Sequence, residues 1–398
     1  MQLGEAIFEE LPLQQQHLVD LFIFGGCASH KDLNAFKYEV VGMGLEWENN
    51  GLPPPTLLAN KANDAVIRLG ENANSAVVQH AVESSSRGGV KLTSLAGALF
   101  RHKNDETGYQ DRHCLFMTQH KKDFHDETMS KQFPDTSNTH YQSHSYAACE
   151  IVTYYPLYIE LMEICDGKSK PGVNHLESNV AKGLDDPSTI AELVAMALYG
   201  VSVSWPYLHQ ARGNGEALIN LLDLTDLHQK IPTFCEHIAA QPDLLLKANS
   251  SLDEVTLDGK PYMDPRLLSA ARTMAPELPA LHSMITAMFS GAAKGWRIFT
   301  AEFVVGGPFD SLTPEEHALI FIPSTNDANE GVLSSWRVHT RHHPSSTAST
   351  FSSQACSECN NTEKCCDDTD QRYVMRAVQI QDVSGKSAQF QEALVNEQ

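Results

Sequence analysis

The first candidate for chemistry is an acidic residue that follows a polar run between two predicted helices. Residues 323–331 read Pro-Ser-Thr-Asn-Asp-Ala-Asn-Glu-Gly, and Glu330 falls in the first or second turn of a helix that Thr325 or Asn326 can cap. A carboxylate in this place is favoured by the helix dipole, and it can point away from the helix end towards another group. The simpler interpretation of Glu330 is a surface acid that only the dipole favours.

The second candidate is a cysteine and histidine pair near the start of the chain. Cys27 and His30 are followed closely by Leu33 and Asn34, and their spacing places them one turn apart on a helix. A small buried cysteine beside a surface histidine is the alternative interpretation of the same residues.

The third candidate is the polar segment 133–144, which includes Thr139, Tyr141 and Ser143. Read from its residues alone, this segment is a loop that caps a helix, with Ser143 as one plausible cap.

Taken in chain order, with the Cys27 and His30 pair first, segment 133–144 second and Glu330 last, the three segments resemble the RNase H-like DDE transposases, in particular the hAT-like group. Cys-x-x-His followed by Leu-Asn is similar to a signature that opens the helical insertion of that fold. Thr139, Tyr141 and Ser143 match in kind the Thr-Arg-Trp-x-Ser motif with which the insertion begins, although His140 stands where the family has arginine. The resemblance covers most of the chain from Phe24 to His339.

The resemblance implies a mainly α chain, the helical insertion domain of an α+β RNase H-like transposase with little or none of the sheet retained. It also implies DNA as partner, Mg²⁺ as cofactor and a nuclear location. The Thr-Asn run at Asn326 would precede the last metal-binding acid, Glu330. Asp20 is the only candidate for the second acid, but it lies on a helical pattern, and the first acid has no counterpart. We therefore expect catalysis to be incomplete.

Composition favours a different class of function. The chain has 398 residues, of which 42% are hydrophobic, and a formal net charge of -21. A strongly acidic protein is a poor match for DNA, whose phosphates attract basic surfaces. The alternative function is therefore a non-enzymatic acidic helical scaffold that binds protein partners or further copies of itself.

No stretch approaches the roughly 18 apolar residues of a membrane span, and the first residues do not have the pattern of a signal peptide. We expect an intracellular chain that does not bind membranes, with its nine cysteines reduced.

The C-terminal cysteines have some features of a zinc site. Cys356 and Cys359 form a Cys-x-x-Cys pair, and Cys365 and Cys366 follow in a Ser- and Cys-rich tail. Adjacent cysteines chelate one zinc ion awkwardly, so we expect a largely disordered tail and no zinc.

The elements that must position these residues are nearly all helical. Pro279 to Val304 is the longest amphipathic pattern and predicts a core helix that contains Trp296 and Phe299. Gly291 and Gly295 within it predict close packing against a neighbouring helix, since glycine weakens a helix interior. Two short stretches, Leu319 to Ile322 and Val374 to Ile380, are the only strand candidates.

The pattern divides the chain into five parts. They are a helical segment at 1–48, an irregular and partly disordered polar region at 49–138, an all-α insertion-like domain at 139–306, a helical segment with the last acid at 307–340, and the tail at 341–398. Within the polar region, helical patterns occur around 76–82 and at 91–102. The histidines at 113, 120 and 125 show no ligand pattern, so a solvated segment is expected there.

Overall fold

The computed structural model describes residues 8–70, 74–101, 109–124, 132–136, 142–166, 174–213, 218–262 and 264–359. The chain divides into two compact units at residues 325 and 326. Each unit is described by itself.

The described residues of the first unit form a series of α-helices. In chain order they are α1 (Leu13–Asp20), α2 (Ala28–Asn49), α3 (Lys61–Leu69), α4 (Ser75–Glu83), α5 (Gly88–Phe100), α6 (Gln110–Phe124), α7 (Ser143–Thr153), α8 (Tyr155–Asp166), α9 (His175–Asp185), α10 (Pro187–Tyr199), α11 (Trp205–Arg212), α12 (Thr225–Ala240), α13 (Asp243–Leu246), α14 (Leu252–Val255), α15 (Pro265–Met274), α16 (Leu281–Phe299) and α17 (Pro314–Leu319).

The expectation of a mainly α protein is confirmed, since the described residues contain no β-strand. Two isolated bridges are the only extended pairs among them, Leu57 with Arg87 and Asn220 with Pro323. Residues 319–322, one of the two strand candidates, form no strand, and the prediction for them is wrong. The other candidate, 374–380, lies outside the described residues.

The helix pair α2 and α16 forms the centre of the first unit. A Cβ on Gly291 would lie 2.4 Å from the Tyr38 carbonyl oxygen, and one on Gly295 would lie 2.8 Å from the Ala35 Cα. Both distances are too short for any side chain, so the backbones touch at these glycines, as the sequence predicted. Trp296 is fully buried as expected, whereas Phe299 is only half-buried and its assignment to the core was wrong.

Helix α10 is buried on all sides and continues through a π-helical turn, Gly200–Ser204, into α11. Asp186 caps α10 by accepting from the Thr189 amide at 2.9 Å, and Pro187 occupies its first position. The whole stretch Pro187–Arg212 has the length and hydropathy of a membrane span, which the sequence analysis did not recognise. Within the protein, 94% of its apolar window is buried, as in the core helix of a globular protein.

The polar region 49–138 contains the four helices α3 to α6. Helices α4 and α5 correspond to the helical patterns at 76–82 and 91–102, whereas α3 and α6 were not expected. His113 on α6 is fully buried rather than solvated, and its Nε2 lies 3.0 Å from the Tyr158 hydroxyl. The prediction failed here because α6 contains many polar residues. The sequence pattern therefore does not reveal the face of α6 on which His113 packs against Phe100 and Phe133.

The second unit begins with α18 (Asp327–His342), followed by α19 (Ala348–Cys359). The two helices meet through aromatic rings, with Trp336 and His339 each 5.1 Å from the ring of Phe351. Helix α19 lies in the part of the tail that was expected to be disordered, so that expectation is wrong for residues 348–359.

Candidate functional site

Glu330 lies in the first turn of α18 and is exposed. Its amide donates to the Asn326 carbonyl oxygen at 3.1 Å, and the Asn326 side-chain amide donates to Glu330 Oε1 at 3.3 Å. Asn326 occupies the N-cap position, as predicted, but its side chain makes no capping hydrogen bond. The arrangement fits a carboxylate favoured by the helix dipole.

The Cys27 and His30 pair lies at the start of α2. Cys27 is the half-buried N-cap residue, and its carbonyl oxygen accepts from the Lys31 amide at 3.1 Å, whereas His30 is exposed. Asn34 is half-buried and accepts a hydrogen bond from Lys37 Nζ at 2.9 Å. These contacts are local to α2.

The start of α2 contacts the segment that leads into the last-acid motif. The Ala28 amide donates to the Ser324 carbonyl oxygen at 2.8 Å, and the Ser324 hydroxyl donates to the Ala211 carbonyl oxygen at 2.6 Å. Ser324 is buried and belongs to the first unit. Two segments almost 300 residues apart in sequence are therefore joined directly through the backbone.

The remaining predicted site residues are only partly described. Thr139 and Tyr141 lie outside the described residues, and so do Cys365, Cys366 and the side chains of Asp20 and Cys359. Cys356 is exposed on α19. Ser143 is the buried first residue of α7, but the N-cap position belongs to Gln142, so the proposed cap was wrong. Among the described side chains, no group of three or more His, Cys, Asp or Glu could hold a metal ion.

The densest polar cluster in the first unit surrounds Asp32, which sequence analysis missed. Asp32 lies one turn beyond Ala28 on α2 and is 3% exposed. Its Oδ2 accepts from the Ser204 hydroxyl at 2.6 Å, and the Gln142 side-chain amide donates to the same hydroxyl at 2.7 Å. The Tyr199 hydroxyl lies 3.5 Å from Asp32 Oδ1. The residues Asp32, Ser204, Gln142 and Tyr199, together with Glu39, are called the acid cluster below.

Burial dominates the electrostatics of the acid cluster. It raises the pKa of Asp32 to about 6. The hydrogen bonds from Ser204 and Tyr199 and the positive charge of Arg212 act in the opposite direction and lower that pKa. Glu39, two turns further along α2, is fully buried, and burial raises its pKa well above the usual range. The charge of Asp32 raises the Glu39 pKa further, so protonation of the two acids is coupled.

Neither oxygen of Glu39 has a well-formed hydrogen bond to a described residue. A charged carboxylate in such surroundings is very costly, whereas a protonated one is tolerated. The raised pKa and the missing partners therefore agree that the surroundings of Glu39 favour its neutral form.

Two unusual backbone features meet at the acid cluster. Gln142 has φ 60° and is the only residue other than glycine with a left-handed backbone in the described part of the chain. Ser204 ends the π-helical turn that interrupts the long α10–α11 stretch. Single π-turns and left-handed residues cost free energy and are often found at functional sites.

The acid cluster can hold and exchange a proton, but it is closed to substrates in this conformation. Asp32 accepts a hydrogen bond from the Ser204 hydroxyl, and with its pKa of about 6 its carboxyl group gains or loses a proton near neutral pH. Ser204 is 1% exposed, so a molecule from solution cannot reach the hydroxyl. The sequence contained one signal for this cluster, since Asp32 and Glu39 share the helical stripe of Ala35 and Met43 that faces the core.

A buried ion pair lies at the same end of α2. The ammonium group of Lys31 forms a very short contact with the Glu302 carboxylate and donates to the Phe299 carbonyl oxygen at 2.6 Å. Burial lowers the pKa of Lys31, whereas Glu302 raises it. The pair fixes the start of α2 against the end of α16.

No protein-family model matches this sequence, and neither a curated protein nor a solved structure is significantly similar to it.

Proposed function

We propose that the chain is a catalytically incomplete protein derived from an RNase H-like DDE transposase, and that its all-α body corresponds to the helical insertion of that fold. The observation that carries the proposal is the hydrogen bond between Ala28 and Ser324. In the family, the Cys-x-x-His segment and the segment before the last acid border the same face. Here the residues next to Cys27 and those just before Asn326 are in direct contact.

The helical body supports the same origin. The long helices α2 and α10 both pack against α16 in the core of the first unit. DDE chemistry needs three carboxylates around two Mg²⁺ ions, which activate the attacking oxygen and stabilise the displacement at phosphorus. The resemblance assigns two of these acids in the given sequence, Glu330 and, at the end of α1, Asp20. Glu330 and Asp20 are the residues that would bind Mg²⁺, and with only two of three acids we expect no strand transfer.

The test is strand cleavage and joining with supercoiled plasmid and linear DNA ends, in Mg²⁺ and in Mn²⁺. We expect no metal-dependent product from the parent chain. Cleavage that is lost in Glu330→Gln, but kept in the control Asp327→Asn in the same helical turn, would show a complete active site and overturn the proposal.

The alternative function, an acidic scaffold for protein partners, is favoured by one surface. Tyr38, Val41 and Leu45 form a stripe on the outer face of α2, and they are 39%, 59% and 50% exposed. Apolar side chains grouped in this way are typical of protein interfaces.

Fluorescence anisotropy with labelled DNA ends at physiological salt separates the two functions. Binding supports the transposase origin, whereas a chain that binds no DNA supports the scaffold.

A further inference from the structure

The outer face of α2 carries apolar side chains that are exposed in the first unit. Tyr38, Val41 and Leu45 recur every three or four residues, so they lie on one side of the helix. The opposite side of α2 is buried in the core through Ala35 and Met43. The outer face is therefore free to contact another molecule.

The two ends of this outer face carry opposite charges. Lys37 lies one turn before Val41 and Glu48 lies two turns after it, and both side chains are exposed. The Lys37 ammonium donates to Asn34 Oδ1 at 2.9 Å, so the cation is directed towards the beginning of α2. The outer face is thus basic at its beginning, apolar in the middle and acidic at its end.

The apolar middle fits a second copy of itself when the two helices lie antiparallel. In an isologous pair with its two-fold axis at Val41, residues at about equal distances before and after Val41 face each other. Val41 then contacts Val41 of the partner subunit, and Tyr38 contacts the partner's Leu45. A Cβ on Gly44, which belongs to the same face, would meet no atom within 4 Å, so the surface is open there to a side chain of the partner.

The charged ends complete the fit. Asn34 lies seven positions before Val41 and Glu48 lies seven positions after it, so each Asn34 faces the partner's Glu48. The Lys37 ammonium held at Asn34 is then close to that carboxylate, and the two-fold axis forms the ion pair twice. A parallel pair would place Lys37 beside Lys37 of the partner subunit, so charge favours the antiparallel order.

We infer that the outer face of α2 binds the same face of a second copy of this chain, with the helices antiparallel and Lys37 paired with the partner's Glu48. The face is about 21 Å long between Asn34 and Glu48, at 1.5 Å per residue. One pair of helix faces of this length covers less than the roughly 1,200 Å² of the smaller stable interfaces, so the dimer is weak and reversible. The inference does not depend on the transposase origin, since it uses only the surface of α2.

Sedimentation velocity of the full chain at about 1 to 100 µM measures the association. We expect the sedimentation coefficient to rise with concentration from that of a monomer towards that of a dimer. Val41→Glu places two like charges at the two-fold axis and should weaken the association at least about tenfold. Val77→Glu is the matched control, since Val77 is an exposed valine on another helix, α4, and it should leave the association unchanged.

An exchange of charges tests which surface the partner uses. Lys37→Glu and Glu48→Lys should each weaken self-association at least about tenfold. An equimolar mixture of the two variants should form a mixed dimer, because each variant carries the charges that the other needs. The double variant, with both substitutions in one chain, should recover the association of the parent.

Three results would each overturn the inference. The parent chain could stay monomeric at every concentration, which would leave the outer face of α2 to a different protein. The dimer could persist in Val41→Glu, or the mixture of the two charge variants could associate no better than either variant alone.

Discussion

Replacement of Asp32 by asparagine should change how the stability of the protein depends on pH. Burial raises the Asp32 pKa from 3.8 to about 6, a shift of about two units. Each unit corresponds to about 1.4 kcal/mol, so the free energy of unfolding contains a term of about 3 kcal/mol that varies with pH. Because the folded-state pKa is raised, this stabilisation is fully present below about pH 4 and is lost as the pH rises to about 6.

Asparagine keeps the size of the side chain and can still accept from Ser204, but it does not ionise. The free energy of unfolding of Asp32→Asn minus that of the parent should therefore increase by about 3 kcal/mol between pH 4 and pH 7 and stay constant above that.

Urea denaturation followed by far-UV circular dichroism at intervals between pH 4 and pH 8 measures this difference. Glu48→Gln on the exposed face of α2 is the control and should give a curve parallel to that of the parent. The assignment of a raised pKa to Asp32 would be refuted by either of two results. The free energy of unfolding of Asp32→Asn could follow the same pH dependence as that of the parent, or the variant-minus-parent difference in this free energy could fall as the pH rises.

Two further contrasts test the core and the proposed site residue. Trp296→Ala should lower the free energy of unfolding by about 3–5 kcal/mol because it leaves a cavity at a fully buried site, whereas Glu330→Ala should cost about 1 kcal/mol or less. Thermal melts of both variants decide this, and equal losses would make Glu330 a structural residue. Gly291→Ala should destabilise by about 1–3 kcal/mol because its Cβ would meet the Tyr38 carbonyl oxygen, while Gly331→Ala on α18, where the space is open, should stabilise by up to about 1 kcal/mol. Similar effects of the two glycine variants in the same melts would contradict the close contact of α2 and α16.

The sequence predicted those parts of the fold that depend on local chemistry. Thr313, Pro314 and Glu316 have the residue types and spacing of a capping box, and both of its hydrogen bonds are present at the start of α17. Gly291 and Gly295 predicted a close helix contact because a glycine in a helix interior has a cost that only packing explains. The mainly α class followed from the near absence of alternating patterns.

The acid cluster could not be predicted in the same way. Asp32 and Glu39 are residue types that usually lie on the surface, and their burial depends on partners from α10 and from the left-handed residue before α7. A single sequence does not show that Gln142 and Ser204, 62 positions apart, are hydrogen-bonded. Whether the Cys27 helix lies near the Glu330 helix stays a prediction, because the two helices belong to different units.

The contact between α2 and α16 also determines when the protein can fold during synthesis. The two helices are adjacent in space, but about 230 residues separate the end of α2 from the start of α16. At roughly 5–20 residues per second, the ribosome needs on the order of ten to fifty seconds to add them. Throughout that time the apolar stripe of α2, with Met43 and Trp47, lacks its main partner. The apolar stripe of α2 therefore stays without this partner on the nascent chain until α16 has been synthesised, and we expect the folding rate to be limited by this one long-range encounter.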